Sequence, residues 1–234
     1  MPYKDLTGNL FASKAQALVN TVNCVGFMGK GVALEFRRRF PAMFLEYQKI
    51  CMERRLRPGQ ILPYRSSTPW VINFAIKDDW KHPSKPEWVE LCLEKFCLRY
   101  RDLGIKSVAF PWMGAMNGRI ALSSIQEITR RYLSKLEDID IEIYSFDSSA
   151  PDPLFDTLKE RINRLSIDIF SHESGLQRRY AKIVYELVGN NAVKSIAEIV
   201  ATERLGDTSL DKLYAYLVSS RAPFSPSAAS LELF

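Results

Sequence analysis

One glycine-rich stretch decides how this chain is organised: Asn20-Thr-Val-Asn23-Cys-Val-Gly26-Phe-Met-Gly29-Lys-Gly31-Val-Ala-Leu-Glu-Phe. Its pattern predicts the end of a strand, a loop and the start of a helix. Glycines let backbone amides approach an oxyanion, and the first turn of a helix carries unpaired N–H groups. The stretch is not the phosphate loop of nucleotide hydrolases, because Gly31 follows Lys30 where that loop has Ser or Thr. It predicts either an anion-binding loop or a plain turn.

A second loop follows another predicted strand: Pro111-Trp112-Met113-Gly114-Ala115-Met116-Asn117-Gly118-Arg119. Loops at the carboxyl ends of parallel strands lie at one edge of an open α/β sheet, where ligands bind. A pyrophosphate held between two amide-rich loops fits this arrangement. The alternative is an ordinary connection in which Asn117-Gly118 is the turn.

Short apolar runs alternate with longer helical patterns, which is typical of an α/β fold. The predicted strands are Ala17–Asn23, Gln60–Tyr64, Trp70–Phe74, Lys106–Phe110 and Asp140–Phe146.

Two predicted helices carry apolar stripes that we expect to cover the sheet. The first begins after Pro83, where Ser84 and Glu87 have capping-box spacing, and the second runs from about Leu122 to Leu136, with Ser124 and Glu127 at the same spacing. The two stripes are Trp88, Leu91, Cys92, Phe96 and Tyr100 in the first helix, and Ile125, Ile128 and Tyr132 in the second.

A break in the pattern at Asp147-Ser-Ser-Ala-Pro-Asp-Pro153 predicts a domain boundary near residue 150. Residues 1–150 are expected to form the α/β domain. Residues 151–234 are expected to form a helical region of three or four short helices, with a frayed tail from about residue 221. Its predicted helical stretches are Leu176–Val188, Ala192–Thr202 and Leu210–Ser219.

Composition indicates a globular protein with one basic part. The chain has 234 residues, 47% of them hydrophobic, which excludes a disordered protein. Of 32 basic and 27 acidic residues, 22 and 16 lie in residues 1–150, a net charge of +6; the remaining 10 and 11 give −1 for residues 151–234. Any basic working face therefore belongs to the first two thirds.

The rare residue types restrict the chemistry. Only two histidines occur, His82 and His172, and the four cysteines form no C-x-x-C pair, so the sequence predicts neither a metal site nor a disulfide framework. The N-terminus has no apolar signal region, and no apolar run approaches the ~18 residues of a membrane span. We therefore expect a cytoplasmic protein with reduced thiols that uses no metal, cofactor or membrane.

Three segments in this order resemble the macrodomain family: Thr7-Gly8-Asn9-Leu10, Ala17-Leu-Val-Asn20-Thr-Val-Asn23 and Gly26-Phe-Met-Gly29-Lys-Gly31-Val-Ala-Leu. The run from Met28 to Phe40-Pro41, and Ile72-Asn73-Phe74-Ala75-Ile76-Lys77-Asp78-Asp79-Trp80, are similar to its DarG branch, the DNA ADP-ribosyl glycohydrolase antitoxins. The resemblance covers about residues 1–146. It implies a three-layer α/β sandwich, a mixed sheet between helices, with ADP-ribose between the two loops.

The resemblance also implies a set of ligand contacts. By this resemblance, Asn9 contacts the adenine and Asn23 contacts the distal ribose, while the loop glycines approach the phosphates. Phe146, or Tyr144, is the implied adenine-stacking aromatic, although Asn9 also suits a turn and an aromatic there also suits core packing. The complete predicted set is Asn9, Asn23, Gly29, Gly31, Gly114, Asn117, Gly118 and Phe146.

Lys77 lies in the Asn-Phe-x-x-Lys pattern that supplies the essential lysine in this branch. Cleaving a base N-glycosidic bond develops oxocarbenium character at the anomeric carbon, so the reaction needs a nucleophile or proton shuttle near that atom. A lysine serves either role. The alternative is that Lys77 is one charge on a solvated loop.

The sequence departs from the branch at positions that matter. Met116 and Arg119 replace glycines of the second loop, and Asp79 replaces a histidine. Carboxylates near Lys77 favour its protonated form unless burial or a cation counters them.

We therefore predict a hydrolase that removes ADP-ribose from nucleobases, in DNA, as an antitoxin or repair activity. Two alternatives are a non-catalytic ADP-ribose reader and a hydrolase of ADP-ribose-1″-phosphate or acylated ADP-ribose. The expected partners are ADP-ribosylated DNA and a cognate ADP-ribosyltransferase toxin, which residues 151–234 would bind. Arg37 and Arg38, with Trp80 and Trp112, are candidate nucleic-acid contacts; a basic cluster is equally typical of a solvated helix end.

Overall fold

The computed structural model describes residues 3–189, 193–219 and 233–234. Within them the strands are β1 (Tyr3–Gly8), β2 (Ala17–Val22), β3 (Ile61–Tyr64), β4 (Trp70–Ala75), β5 (Ser107–Pro111) and β6 (Asp140–Phe146). The helices are α1 (Gly31–Arg39), α2 (Pro41–Met52), α3 (Pro86–Arg99), α4 (Leu122–Leu133), α5 (Pro153–Arg164), α6 (Ile167–Ser174), α7 (Arg178–Gly189), α8 (Ile196–Ala201) and α9 (Asp207–Ser219), with a short 3-10 helix at Leu10–Ala12.

The six strands form one mixed sheet in the order β1-β6-β5-β2-β4-β3. Strand β2 lies between β5 and β4 and runs parallel to both, whereas β3 is antiparallel to β4. Nearly every residue of β2 and β4 is buried, as in strands that are covered on both faces. The predicted α/β fold, a mixed sheet flanked by helices, is confirmed.

The five predicted strands are present to within one residue at each end, but the prediction missed β1. The β1 sequence Tyr-Lys-Asp-Leu-Thr-Gly buries only Gly8, so no apolar alternation marks it as a strand. It lies at one end of the sheet, where a strand does not need two apolar faces.

Both capping-box predictions were wrong. Helix α3 begins at Pro86 with Lys85 as its N-cap, and α4 begins at Leu122 with Ala121 as its N-cap, neither with a side-chain cap. The Ser84 backbone N–H donates instead to the Gly118 carbonyl at 2.9 Å, which holds Ser84 outside the helix. The fixed φ of Pro86 then suits the first helical position.

The apolar stripe of α3 is rotated relative to its prediction. Leu91 is 42% exposed and lies over Gly59, where an added Cβ would be 2.8 Å from its methyl group, and Trp88 is only half-buried. Residues Val89 and Leu93 are buried instead. Cys92, Phe96 and Tyr100 of the predicted stripe, and Ile125 and Ile128 of α4, join one core cluster with strand residues. Both helices therefore cover the sheet as expected.

The described residues separate into two units. The first comprises residues 3–6, 13–145 and 233–234, and the second comprises 7–12, 146–189 and 193–219. Each has its own hydrophobic core; that of the second unit is formed by α5 to α9 and includes Leu158, Phe170 and Leu213. The second unit thus has five helices in its described residues, more than the three or four predicted, because α5 and α6 precede Leu176. The domain boundary near residue 150 stays a prediction.

The last two residues contribute to the first unit. Phe234 exchanges two backbone hydrogen bonds with Ile61 of β3, at 3.0 and 3.2 Å, and its ring packs against the sheet core. The rest of the predicted tail from residue 221 lies outside the described residues. Within the described ranges, no helix combines the length and apolar character needed to cross a lipid bilayer.

Candidate active site

Three loops lie at the carboxyl edge of the parallel strands. We call residues 23–30 the first loop, 76–85 the lysine loop and 112–121 the second loop; they follow β2, β4 and β5. The lysine loop is joined to the other two, because Cys24 N–H donates to the Asp78 carbonyl at 3.0 Å and Ser84 N–H donates to the Gly118 carbonyl. The two loops predicted from sequence therefore flank a third, which carries Lys77.

The first loop is held in shape by Asn23. Its Oδ1 accepts hydrogen bonds from the backbone N–H groups of Val25 (3.0 Å) and Phe27 (3.3 Å), and its Nδ2 donates to the Phe27 carbonyl at 2.5 Å. The hydroxyl of buried Tyr47 donates to the Asn23 carbonyl at 2.8 Å and lies 3.0 Å from its Oδ1. The observed role of Asn23 is thus to shape the loop, and its predicted contact with ribose stays a prediction.

Gly31 brings the first and second loops together. It opens α1 with a left-handed φ of +58°, and an added Cβ there would lie 2.4 Å from Nδ2 of Asn117. Nothing larger than glycine fits between the helix start and Asn117 without displacement. At Gly29, an added Cβ would lie 2.3 Å from the Phe27 ring. The N-terminus of α1 has no side-chain cap, so its amides are available to an anion.

The second loop is a tight turn. A Cβ at Gly118 would lie 2.4 Å from backbone atoms of Gly114, which itself has a φ of +79°. Arg119 adopts a left-handed φ of +60°, a conformation that glycine adopts more readily than arginine. Met116 is 78% exposed, so its side chain lies mainly in solvent.

Lys77 contacts the second loop directly. Its Nζ donates to the Asn117 carbonyl at 2.6 Å, across 40 residues of sequence. Its pKa is lowered from the usual range, first by partial burial of the amine and second by the positive charge of Arg119. The carboxylates of Asp78 and Asp79, which the sequence suggested would favour protonation, are not among the causes. The site therefore favours the neutral amine more than a solvated loop would.

Two buried asparagines lie beneath the loops. Asn20 of β2 and Asn73 of β4 are register partners, and Asn20 Nδ2 donates to Asn73 Oδ1 at 2.8 Å. The Oδ1 of Asn20 has no hydrogen-bond partner within the described part of the chain. This amide pair ties the two strands together directly below the first and lysine loops.

The predicted nucleic-acid contacts differ in exposure. Trp80 is 48% exposed, whereas Trp112 is half-buried against the sheet core, and its Nε1 donates to Ser145 Oγ at 2.9 Å. Arg38 is only 6% exposed, in the last turn of α1, and its predicted contact with nucleic acid stays a prediction. The Arg37 guanidinium lies 5.9 Å from the Phe44 ring.

Two predicted ligand contacts belong to the second unit. Asn9 Nδ2 donates to the Pro151 carbonyl at 3.4 Å, and its Oδ1 accepts from Phe11 N–H at 3.0 Å, which matches the alternative of a turn residue. Phe146 is largely exposed, whereas Tyr144, in the first unit, is half-buried with its hydroxyl 3.0 Å from Glu142 Oε2. The adenine roles of Asn9 and Phe146 stay predictions.

Sequence reasoning missed two residues of this region. Tyr47 anchors Asn23 from α2, and no local pattern marks it among the other apolar residues of that helix. Phe27 is a large aromatic residue that is 45% exposed, and its position between Gly26 and Gly29 was the available signal.

Known proteins are similar to this chain in sequence and in fold. The family model described as "Macro domain" matches residues 19–139. A Thermus aquaticus protein named "DNA ADP-ribosyl glycohydrolase" is 38% identical over 141 residues, which cover 58% of this chain and 39% of that protein. The solved macrodomain of Thermus aquaticus DarG is 36% identical, with a TM-score of 0.58, and the match covers 61% of this chain and 97% of that structure.

A further relative comes from Thermosipho africanus. Its protein named "DNA ADP-ribosyl transferase-DNA ADP-ribosyl glycohydrolase fusion protein" is 31% identical over 156 residues, covering 58% of this chain and 40% of that protein. The structure of Thermosipho africanus DarTG in complex with ADP-ribose is 32% identical, with a TM-score of 0.56, covering 62% and 42% of the two chains. The chain thus spans about two fifths of the length of these curated relatives.

Proposed function

Because this chain belongs to the macrodomain family, we propose that its first unit hydrolyses the N-glycosidic bond between ADP-ribose and a nucleobase of DNA. The observation that carries the proposal is the contact of the Lys77 amine with the second loop. It puts a nitrogen nucleophile beside two glycine-rich loops, in a chain similar to proteins named DNA ADP-ribosyl glycohydrolase.

The loops supply the anion-binding part of the site. The uncapped N-terminus of α1 lies beside the tight Gly114–Gly118 turn, because an added Cβ at Gly31 would lie 2.4 Å from Nδ2 of Asn117. Backbone amides at such positions bind phosphate oxygens without a cost in side-chain ordering. We infer that the diphosphate of ADP-ribose lies here, with Gly29, Gly31, Gly114, Asn117 and Gly118 around it. The DarTG structure with ADP-ribose supports the choice of ligand.

Lys77 acts at the bond that breaks. In one route the neutral amine attacks the anomeric carbon, the N-glycosidic bond breaks, the nucleobase leaves and takes up a proton, and water then displaces the amine. In the other route the amine takes the proton of an attacking water and passes it to the leaving nucleobase. Both routes need the neutral amine, and the lowered pKa of Lys77 increases the neutral fraction at a given pH. When substrate enters, the hydrogen bond from Nζ to the Asn117 carbonyl orients the amine relative to the second loop.

We also propose a biological role, a protein partner and a cellular location for the whole protein. The antitoxin role and a cognate ADP-ribosyltransferase are supported by the transferase–glycohydrolase fusion among the relatives. The second unit, with a helical core of its own, is the candidate surface for that transferase. All four cysteines are free thiols, which suits the cytoplasm, where DNA is the substrate.

The test replaces Lys77 and follows binding and turnover separately. We expect Lys77→Ala to abolish release of ADP-ribose from a modified single-stranded DNA while ADP-ribose still binds, because loop amides supply binding and the lysine acts on the reacting bond. Lys85→Ala, at the other end of the lysine loop, is the matched control and keeps full turnover.

Parallel assays separate the alternatives. An ADP-ribose reader binds ADP-ribose and the modified DNA but releases no product in any assay. A small-molecule hydrolase cleaves ADP-ribose-1″-phosphate or an acylated ADP-ribose and leaves the DNA modified. Near-parental turnover of modified DNA by Lys77→Ala would show that Lys77 is a surface charge.

A further inference from the structure

Two large aromatic side chains at the edge of the candidate site remain partly in solvent. Phe27 of the first loop and Trp80 of the lysine loop have ring centroids 5.0 Å apart and an interplanar angle of 41°. Both are close to half-exposed, and the neighbouring Val25 is also exposed. Exposed apolar groups in contact with one another are a common mark of a binding surface.

The position of the pair ties it to the site. Phe27 covers Gly29, where an added Cβ would lie 2.3 Å from its ring, and its backbone N–H and C=O are both held by Asn23. Trp80 lies three residues after Lys77 in the lysine loop. The aromatic pair is therefore next to Gly29 of the first loop, and through Trp80 it belongs to the loop that carries Lys77.

The local charge suits an anionic ligand with flat rings. Lys81 Nζ lies 5.5 Å from the Trp80 ring, and the carboxylate of Asp79 is turned back to accept from the Lys81 backbone N–H at 2.9 Å. Residues 1–150 carry the entire positive excess of the chain. A lysine beside exposed aromatic side chains is an arrangement by which proteins bind single-stranded nucleic acid, whereas a protein-docking patch does not need the adjoining lysine.

We propose that Phe27 and Trp80 form a stacking platform for an unpaired nucleobase of single-stranded DNA beside the ADP-ribose site. The inference deepens the proposed function, on which it rests for the identity of the reaction. The platform holds the modified base or its neighbour against the Trp80 indole, with Lys81 near the backbone phosphate. Of the tryptophans in the first unit, Trp112 is unsuited to this role because its indole N–H is bonded and its ring packs on the core.

The test measures binding of unmodified oligo-dT to the full chain at low salt, beside an abasic strand of the same length. We expect Trp80→Ala to weaken oligo-dT binding about 5- to 150-fold, the range for loss of one base–aromatic stack. Trp80→Phe keeps a stacking face and retains most of the affinity. Trp88→Ala, which removes another lysine-paired tryptophan on α3, leaves it unchanged. The abasic strand binds weakly and equally to all of them.

The outcomes separate this proposal from the proposed function. If oligo-dT does not bind, if Trp80→Ala binds it as Trp88→Ala does, or if the abasic strand binds equally well, the platform is wrong and the patch serves a protein partner. If base-dependent binding is present but the unaltered chain releases no ADP-ribose from modified DNA, the platform stands and the proposed reaction fails.

Discussion

Replacing Gly31 with alanine tests whether the start of α1 is the phosphate-binding position. Gly31 has a left-handed φ of +58°, so any L-residue there incurs a strain of about 1–2 kcal/mol. The new Cβ would also meet Nδ2 of Asn117 at 2.4 Å. Because that atom is the far end of a flexible side chain, Asn117 rotates away and the backbone stays in place. The free energy of unfolding therefore falls by little more than the strain.

Gly104→Ala is the matched control. Gly104 has a φ of +73° and nothing within 4 Å of an added Cβ, so it incurs the same strain without a collision. For a chain of this size, each substitution is expected to lower the melting temperature by about 2–8 °C. Only Gly31→Ala adds a methyl group at the proposed phosphate-binding position, and we expect its affinity for ADP-ribose to fall at least about tenfold, or ~1.4 kcal/mol.

Scanning calorimetry measures the melting temperature of each variant, and titration calorimetry measures its affinity for ADP-ribose. The reasoning is refuted if both variants melt alike and bind ADP-ribose alike, because the diphosphate would then lie away from Gly31. A much larger loss of stability in Gly31→Ala would show that Asn117 cannot rotate.

Two further predictions concern pH and the second unit. Arg119→Met removes one of the two causes that lower the pKa of Lys77, so that pKa rises and the ascending limb of the pH–rate profile moves to higher pH; Arg119→Lys, which keeps the charge, leaves it in place. If the ascending limb of the pH–rate profile does not move in Arg119→Met, Lys77 is not the group whose titration produces that limb. A chain ending near residue 150 is expected to keep hydrolysis and lose any tight complex with a cognate transferase, measured by pull-down and single-turnover assay. If the shortened chain is folded but inactive, residues beyond 150 contribute to the active site.

The sequence predicts well those strands and helices whose burial requires a recognisable pattern of apolar residues. Strands β2 and β4 are buried on both faces, and their apolar runs mark them clearly. Strand β1 has a mainly polar sequence and was missed. The capping box predicted for α3 failed because Ser84 bonds to the second loop, 34 residues away, which local spacing does not reveal.

For the candidate site, the sequence located the glycine-rich loops but did not predict the contacts or the burial of individual side chains. Glycine patterns located both loops, since left-handed turns and close approaches leave few other choices. The contact between Lys77 and Asn117 forms because β4 and β5 both lie next to β2 in the sheet. The sequences of the two loops do not predict this strand order. In the same way, the burial of Arg38 and the bonding of Asn23 follow from packing against other elements.

The pairing of Phe234 with Ile61 bears on solubility. Strand β3 ends the sheet, and an end strand with open N–H and C=O groups invites pairing with a second molecule. Phe234 engages both groups of Ile61, while its ring covers apolar surface beneath the Arg99 guanidinium. A chain shortened before residue 233 loses this cover and presents a bare strand to its neighbours. Self-association at high concentration is therefore the expected consequence of such a truncation.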